Sequence, residues 1–410
     1  MKLKIGSQQI LGLDIGTSEI KVAIAENRDG KPALISVFKQ PSFGLRKGAV
    51  VDLAETSSAV AKALFEAKKI SRPALKKIYV NVGTHQVKAQ LSKGIVAISR
   101  SDSEIYQDDV DRVIQLSQSI NLSANRIIVH NITREYILDG VPDVSDPIGL
   151  GGSRLEVSSV IVDAFAPHIK SVMRAVELAG GQYAGMFLDP IASARAVLSK
   201  RQKDLGVLLI DLGFGTTSMA VYEENKLTGT SVFPVGASNV TNDLAVVLKI
   251  PVAAAENIKL SYAYAVSEDV NAKESIDLRK FVPDAKGMVS RRFIAEIAET
   301  RLAEIFEFVN NELRVLKKAG KLAGGVVLTG GGAKLPGITG LAKNTLKLSA
   351  QIGCASTEEW TGDGFTEALE DPEFATVLGL VLAGAEKEGW LGGGKKDPWS
   401  LHGLLKYFQP

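Results

Sequence analysis

Cysteine is nearly absent: Cys354 stands alone in 410 residues, and four histidines complete the sparse metal-ligand set. That excludes an internal disulfide and leaves no Cys/His cluster of usable spacing, so a reducing cytoplasm is the expected setting. An excess of either charge is missing too, the formal net being +2 at pH 7. With no long basic stripe and no aromatic-interleaved basic run, nucleic acid is not an expected partner. No uncharged apolar run approaches the roughly 18 residues of a membrane span. Residues 1–10 carry Lys2 and Lys4 but no apolar signal core, so the expected chain is neither exported nor membrane-spanning. Two common nucleotide signatures, G-x-x-x-x-G-K-[ST] and a strand-linked G-x-G-x-x-G, are also lacking.

The length exceeds what one core usually organises, and two lobes are expected. Short β-rich apolar runs at 10–15, 21–25, 77–82, 206–212, 218–222 and 325–329 alternate with helical patterns at 54–68, 167–179 and 291–318. In the last of these, Ile294, Ile297, Leu302, Ile305, Val309 and Leu313 recur at helix spacing. The alternation predicts α/β lobes.

A weak internal repeat organises the rest. Asp14 and Asp211 each close an apolar run, and each is followed by a glycine (Gly16, Gly213), an alanine (Ala23, Ala220) and a glutamate (Glu26, Glu223) at equal spacing. Equivalent hairpins in two lobes are the expectation. A strand that ends in Asp-x-Gly and turns through small hydroxyl residues suits a phosphate, because glycine admits the ligand to backbone N–H groups and the aspartate can hold magnesium through water. One such turn is no more than a hairpin; two in register, followed by a third element, are a nucleotide signature. The third element is the apolar run at 326–329 opening into Gly330, Gly331, Gly332 and Ala333, where a ligand can lie against bare backbone.

Together these elements resemble the ATPase superfamily of actin, sugar kinases and heat-shock chaperone ATPases. Its two connecting helices match the segments 189–194 and 375–380, where closely packed glycine and alanine let lobes hinge. The resemblance implies ATP with Mg2+ as cofactors. Gly16, Thr17, Ser18 and Lys21 would hold phosphates from one lobe, and Gly213, Phe214, Gly215, Thr216 and Thr217 from the other. Asp14 and Asp211 would face the metal through water, Gly330 to Ala333 the adenosine, and Glu256 with Lys259 the ribose and base, although an i, i+3 charged pair is ordinarily a surface pair. Phe214 replaces a small or acidic residue of many relatives; beside the phosphates it would displace water or metal, so weak or absent hydrolysis is expected. Asp189 is the candidate to orient an attacking water, and an N-cap aspartate before Pro190 is the equally open structural role.

Within the family, residues 82–164 read as a compact α/β insert with strands at 86–91, 126–133 and 155–163 around a helix at 104–121. Its segments 108–116, 135–140 and 146–156 resemble the FtsA family of bacterial division proteins. The expected fold is therefore an α/β, actin-like, two-lobed ATPase with a small α/β subdomain inserted in the first lobe. The expected division is a first lobe 1–81, the insert 82–164, a return to the first lobe 165–200, second-lobe core 201–236, a smaller subdomain 237–304, core again 305–368, a connecting helix 369–389, a linker 390–398 and a tail 399–410. In the tail Trp399 leads a segment in which Leu401, Leu404, Leu405 and Phe408 fall on one helical face, the pattern of an interfacial helix. Four such side chains contribute at most about 6 to 12 kcal/mol before ordering entropy is subtracted, so many tails on a polymer would be needed for stable attachment.

The family resemblance implies self-assembly into an actin-like filament, membrane attachment at the division septum, the C-terminal peptide of the tubulin-like FtsZ as partner, and later division proteins as further partners. Arg291, Arg292 and Arg301, in the smaller subdomain of the second lobe, are the candidate receivers of acidic FtsZ residues. A PilM-like pilus-assembly protein is the alternative, and a small-molecule kinase, for which no acceptor-side base can be named, is the third.

Overall fold

Apolar on both faces, β1 (Gln9–Ile15) is buried along nearly its whole length, as a strand covered by helices must be. It turns into β2 (Glu19–Arg28), which pairs with it antiparallel, and β3 (Lys31–Pro41) follows at the edge. Helix α1 (Leu53–Ile70) starts where the Asp52 carboxylate accepts the Glu55 N–H at 2.9 Å, an N-cap, and leads to β4 (Ile78–Val82), parallel to β1. The computed structural model describes residues 8–285, 287–362 and 364–391. The glycine spacer and the tail, with Trp399, Leu401, Leu404, Leu405 and Phe408, lie outside the described residues.

After β4 the chain builds a separate sheet from β5 (Val87–Ala97), β6 (Arg126–Leu138), β7 (Val141–Val144) and β8 (Arg154–Phe165), in the order β5-β8-β6-β7. Helix α2 (Gln107–Ser117) packs on it. It is shorter than the 104–121 pattern because Asp109 turns back to accept the Tyr106 N–H at 3.0 Å and so marks the first turn. Helix α3 (Ala166–Leu178) and β9 (Tyr183–Leu188) complete the first-lobe sheet, order β9-β4-β1-β2-β3, and α4 (Asp189–Val197) leaves it.

The second lobe repeats the plan. Strands β10 (Val207–Leu212), β11 (Thr217–Glu223) and β12 (Lys226–Phe233) are followed by α5 (Ala237–Leu248), α6 (Val252–Tyr262) and α7 (Arg291–Val315). Then come β13 (Val326–Thr329), α8 (Ile338–Leu346), β14 (Ala350–Ile352) and α9 (Ala375–Lys387), and the sheet order is β12-β11-β10-β13-β14. Asp14 lies opposite Lys21 and Asp211 opposite Ser218, so the two hairpins share one register. Even the bulges correspond, falling between Ile24 and Ala25 in one lobe and between Val221 and Tyr222 in the other.

The buried stripe of α7, Ile294, Leu302, Ile305, Val309 and Leu313, joins Ile210 and Leu328 in the second-lobe core, whereas Ile297 is only partly covered. A second cluster joins the inserted sheet (Val129, Ile132, Val160, Val162) to Leu188 and Ile191 of the first lobe and to Leu209, Tyr222 and Leu227 of the second. At the junction α4 and α9 cross so closely that a Cβ on Gly379 would stand 1.8 Å from the Ala192 carbonyl oxygen. Only glycine permits that approach.

Candidate functional site

The two hairpin turns close in the same way: the Gly16 N–H donates to the Glu19 carbonyl at 3.0 Å and the Gly213 N–H to the Thr216 carbonyl at 2.9 Å. They face one another, since a Cβ on Gly215 would lie 2.7 Å from Thr17 Oγ1, a hydroxyl that also accepts the Gly48 N–H at 3.2 Å. Ser18 is exposed, and Gly16, Thr17 and Thr216 are half-buried at the mouth. Thr217 departs from expectation. It follows the turn where Ile20 does in the first hairpin, its side chain is fully buried, and its hydroxyl donates to the Val235 carbonyl at 2.8 Å. Only its backbone is left to offer a ligand.

The acidic residues converge. Asp14 and Asp211 are 7% and 8% exposed. Asp211 Oδ2 accepts from Ser193 Oγ at 2.8 Å and Thr376 Oγ1 at 2.9 Å, so both crossing helices hold it. Asp189 Oδ1 accepts from Asn81 Nδ2 at 3.1 Å, and Asn81 Oδ1 takes the Ile15 N–H at 2.7 Å, which links Asp189 to the first hairpin. Leu188, not Asp189, occupies the N-cap position of α4, so the capping role open to Asp189 is not the one it has. Burial, opposed by Lys21 and reinforced by Asp211, Glu373 and Glu19, pushes the Asp14 carboxyl up to about 6. Burial and then the Asp14 and Asp211 charges raise Asp189 well above the ordinary carboxylate range. Carboxylates that raise one another's pKa have their repulsion relieved by a cation. Among the described residues no group of three His, Cys, Asp or Glu is placed to ligate a metal directly. A divalent cation fits here only through water and the oxygens of a ligand.

Lys21 lies 3.8 Å from both Asp14 and Glu373. The third element closes the cleft from the second lobe: Gly330 has φ of 83°, and a Cβ there would stand 2.4 Å from Asp211 Oδ1. Gly331 is the open position, with its nearest obstacle at 3.9 Å, whereas Gly332 backs onto Leu212. The Ala333 side chain is buried in the second-lobe core, so it too presents only backbone.

Glu256 and Lys259 form a 2.8 Å ion pair that is no surface pair, because Lys259 is 6% exposed. Its Nζ also donates to Thr241 Oγ1 at 3.0 Å and to the Ala237 carbonyl at 3.4 Å, which joins α6 to the start of α5. Burial, against the pull of Glu256, lowers the Lys259 pKa. The same ammonium sits 5.4 Å from the centre of the Phe214 ring. The ring is therefore engaged with α6, rather than simply filling the space between the hairpins.

The three candidate partner arginines are engaged within the chain. Arg301 grips Asp243 with two bonds of 2.6 and 2.9 Å, Arg292 donates to the Val270 carbonyl at 3.0 and 2.8 Å, and Arg291 binds Glu274 at 2.6 Å and the Tyr262 carbonyl at 3.1 Å. All three are paired within the subdomain and partly exposed. Residues that sequence reasoning passed over are Asn81, Ser193, Thr241, Glu373 and Thr376. Asn81 carries a readable signal, a lone amide in the buried run Ile78–Val82; Ser193 and Thr376 carry none, being small polar residues in alanine- and leucine-rich helices. Among the described residues no helix is long and apolar enough to cross a membrane.

Solved structures share this fold. The PilM–PilN type IV pilus biogenesis complex aligns with TM-score 0.65 over 92% of this chain and 98% of that one, at 19% identity. MreB5 of Spiroplasma citri bound to ADP aligns with TM-score 0.56 over 94% and 99%, at 12% identity. Paired hairpin sheets, crossing helices and the glycine loop define an actin-like ATPase fold. Residues 208–379 match the family described as cell division protein FtsA, and residues 84–163 match the SHS2 domain inserted in FtsA. The cell division protein FtsA of Pseudomonas aeruginosa is 31% identical over 93% of this chain and 90% of its own length, and that of Bacillus subtilis is 34% identical over 90% and 82%. The chain belongs to the FtsA family of cell division proteins.

Proposed function

We propose that this chain binds ATP with Mg2+ between its two hairpins, assembles into an actin-like filament, and tethers the FtsZ filament to the inner face of the cytoplasmic membrane at the septum. The observation that carries the nucleotide reading is the register-matched pair of hairpins with Asp14 and Asp211 buried at their ends. The structure of Spiroplasma citri MreB5 bound to AMPPNP supports it on a shared fold. Turnover is slow in this reading. Asp189, the candidate to orient water, already has one carboxylate oxygen engaged by the Asn81 amide.

The membrane contact belongs to the tail, whose apolar face of Leu401, Leu404, Leu405 and Phe408 follows Trp399. FtsZ docks on the subdomain around residues 237–304, with Arg291, Arg292 and Arg301 the candidate receivers of its acidic residues. The insert recruits later division proteins. The family favours this over a pilus-assembly role, since the resemblance to the PilM–PilN complex, at 19% identity, shows fold alone. Co-sedimentation of the full chain with liposomes is expected to require both ATP and residues 399–408. Unchanged sedimentation after their removal would overturn the tether.

A further inference from the structure

Three lysines crowd one end of the cleft. Asp14, Lys21 and Lys39 form a row across β1, β2 and β3, each opposite the next. The matching row of the second lobe, Asp211, Ser218 and Val232, carries no lysine. Adjacent like charges on one face of a sheet repel, and here one carboxylate lies between them. Glu373 stands 3.0 Å from Lys39, 3.8 Å from Lys21 and 3.2 Å from Lys334, the last at the end of the glycine loop. Lys39 is shared with Glu19 of the first turn at 3.1 Å, and Lys334 with Asp371 at 2.7 Å. The segment that carries Glu373 is fastened to the glycine loop, because the Pro372 carbonyl accepts the Gly330 N–H at 3.0 Å and Thr329 Oγ1 at 2.8 Å.

We propose that Glu373 is a positioning residue for the phosphate end of the nucleotide. It gathers Lys21, Lys39 and Lys334 and keeps Lys21 from collapsing onto Asp14, which is equally distant from it. Lys21 is thereby held between the metal-side carboxylate and the glycine loop, ready to turn to the outer phosphates. The effect falls mainly on those phosphates, because the carboxylate of Glu373 is committed to lysines, while only its Cγ borders the glycine loop, 3.9 Å from where a Cβ on Gly331 would stand. This inference rests on the reading that the cleft takes ATP.

The test is the affinity of the full chain for Mg-ATP and for AMP, measured by calorimetry with Glu373→Gln, Lys21→Met and the double variant. Glu373→Gln is expected to weaken ATP about tenfold, a loss of about 1.4 kcal/mol, and to leave AMP within about twofold. Adding it to Lys21→Met is expected to cost little more, since Glu373 acts through Lys21. Equal loss for ATP and AMP, unchanged or tighter ATP binding, or losses that multiply in the double variant would each overturn the proposal. Should Glu373→Gln not fold, Lys39→Met serves in its place: a fall of about threefold in the ATP-to-AMP affinity ratio supports the proposal and an unchanged ratio overturns it. If the unaltered chain binds neither nucleotide, the reading of the cleft fails; if it binds ATP but Glu373→Gln leaves the ratio unmoved, only the positioning role fails.

Discussion

Thr376 donates a hydrogen bond to Asp211 across 2.9 Å, joining residues that are 165 positions apart. The Ser193 hydroxyl, 2.9 Å from that of Thr376, donates to the same carboxylate oxygen. The two helices that cross beneath the cleft therefore meet at the aspartate of the second hairpin. Any rotation of one lobe against the other acts directly on a candidate metal-side group, which gives a physical route from nucleotide state to lobe closure.

Removing those donors leaves a buried carboxylate short of partners. Thr376→Val is expected to destabilise the chain by about 1 to 3 kcal/mol, with Ser193→Ala costing a similar amount. Because both act on one oxygen, the double variant is expected to deviate from additivity. Urea unfolding midpoints check both statements.

Two glycines separate fold from ligand access. Gly379→Ala places a methyl 1.8 Å from the Ala192 carbonyl oxygen, and an overpacked helix crossing of this kind costs about 3 kcal/mol or more. Gly331→Ala has its nearest heavy atom at 3.9 Å and is expected to melt within a few degrees of the unaltered chain while weakening ATP. Thermal melts with and without nucleotide distinguish them.

Asp14 illustrates a site held at a cost to stability. Its folded pKa of about 6 lies above the ordinary carboxylate value of 3.8, so the folded state holds the proton more tightly than the unfolded chain. Stability is then gained as pH falls through 6 and lost above it. Asp14→Asn is expected to stabilise the nucleotide-free chain by about 1 to 3 kcal/mol at pH 8, and to weaken Mg-ATP. A variant that lost stability at pH 8 would contradict the cost of burying this charge among other carboxylates.

His130 titrates in the opposite sense. Its Nε2 accepts the Leu188 N–H at 2.9 Å, and burial pushes the imidazole down from 6.5 to about 4. The unfolded chain takes up the proton first, so the stability this residue confers is complete above pH 6.5 and is lost as pH falls to 4. The difference in stability between the unaltered chain and His130→Asn is expected to shrink by about 3 kcal/mol across that window. Denaturant midpoints of the two proteins at pH 7.5 and pH 4.5 measure the difference directly, which removes the contribution of Asp14 common to both.

Much of this molecule is legible in one dimension. The repeat around Asp14 and Asp211, the glycines that open after residue 329 and the helical stripe of Ile294 to Leu313 follow from spacing alone, because strand, turn and helix periodicities are local properties of the chain. Spacing also shows which residues lie near a turn, but not which way each side chain points. Thr217 looked like a phosphate donor and faces the Val235 carbonyl; Glu256 and Lys259, expected at the ribose and base, are an ion pair whose lysine is buried between two helices. Arg291, Arg292 and Arg301, the candidate partner residues, are paired within the subdomain. These outcomes depend on partners tens of residues away, whose positions only packing decides. Asp211 shows the division most plainly: sequence marks it as the end of a phosphate strand, and tertiary structure alone brings Ser193 and Thr376 to it, since their helices meet where Gly379 lets the backbones touch.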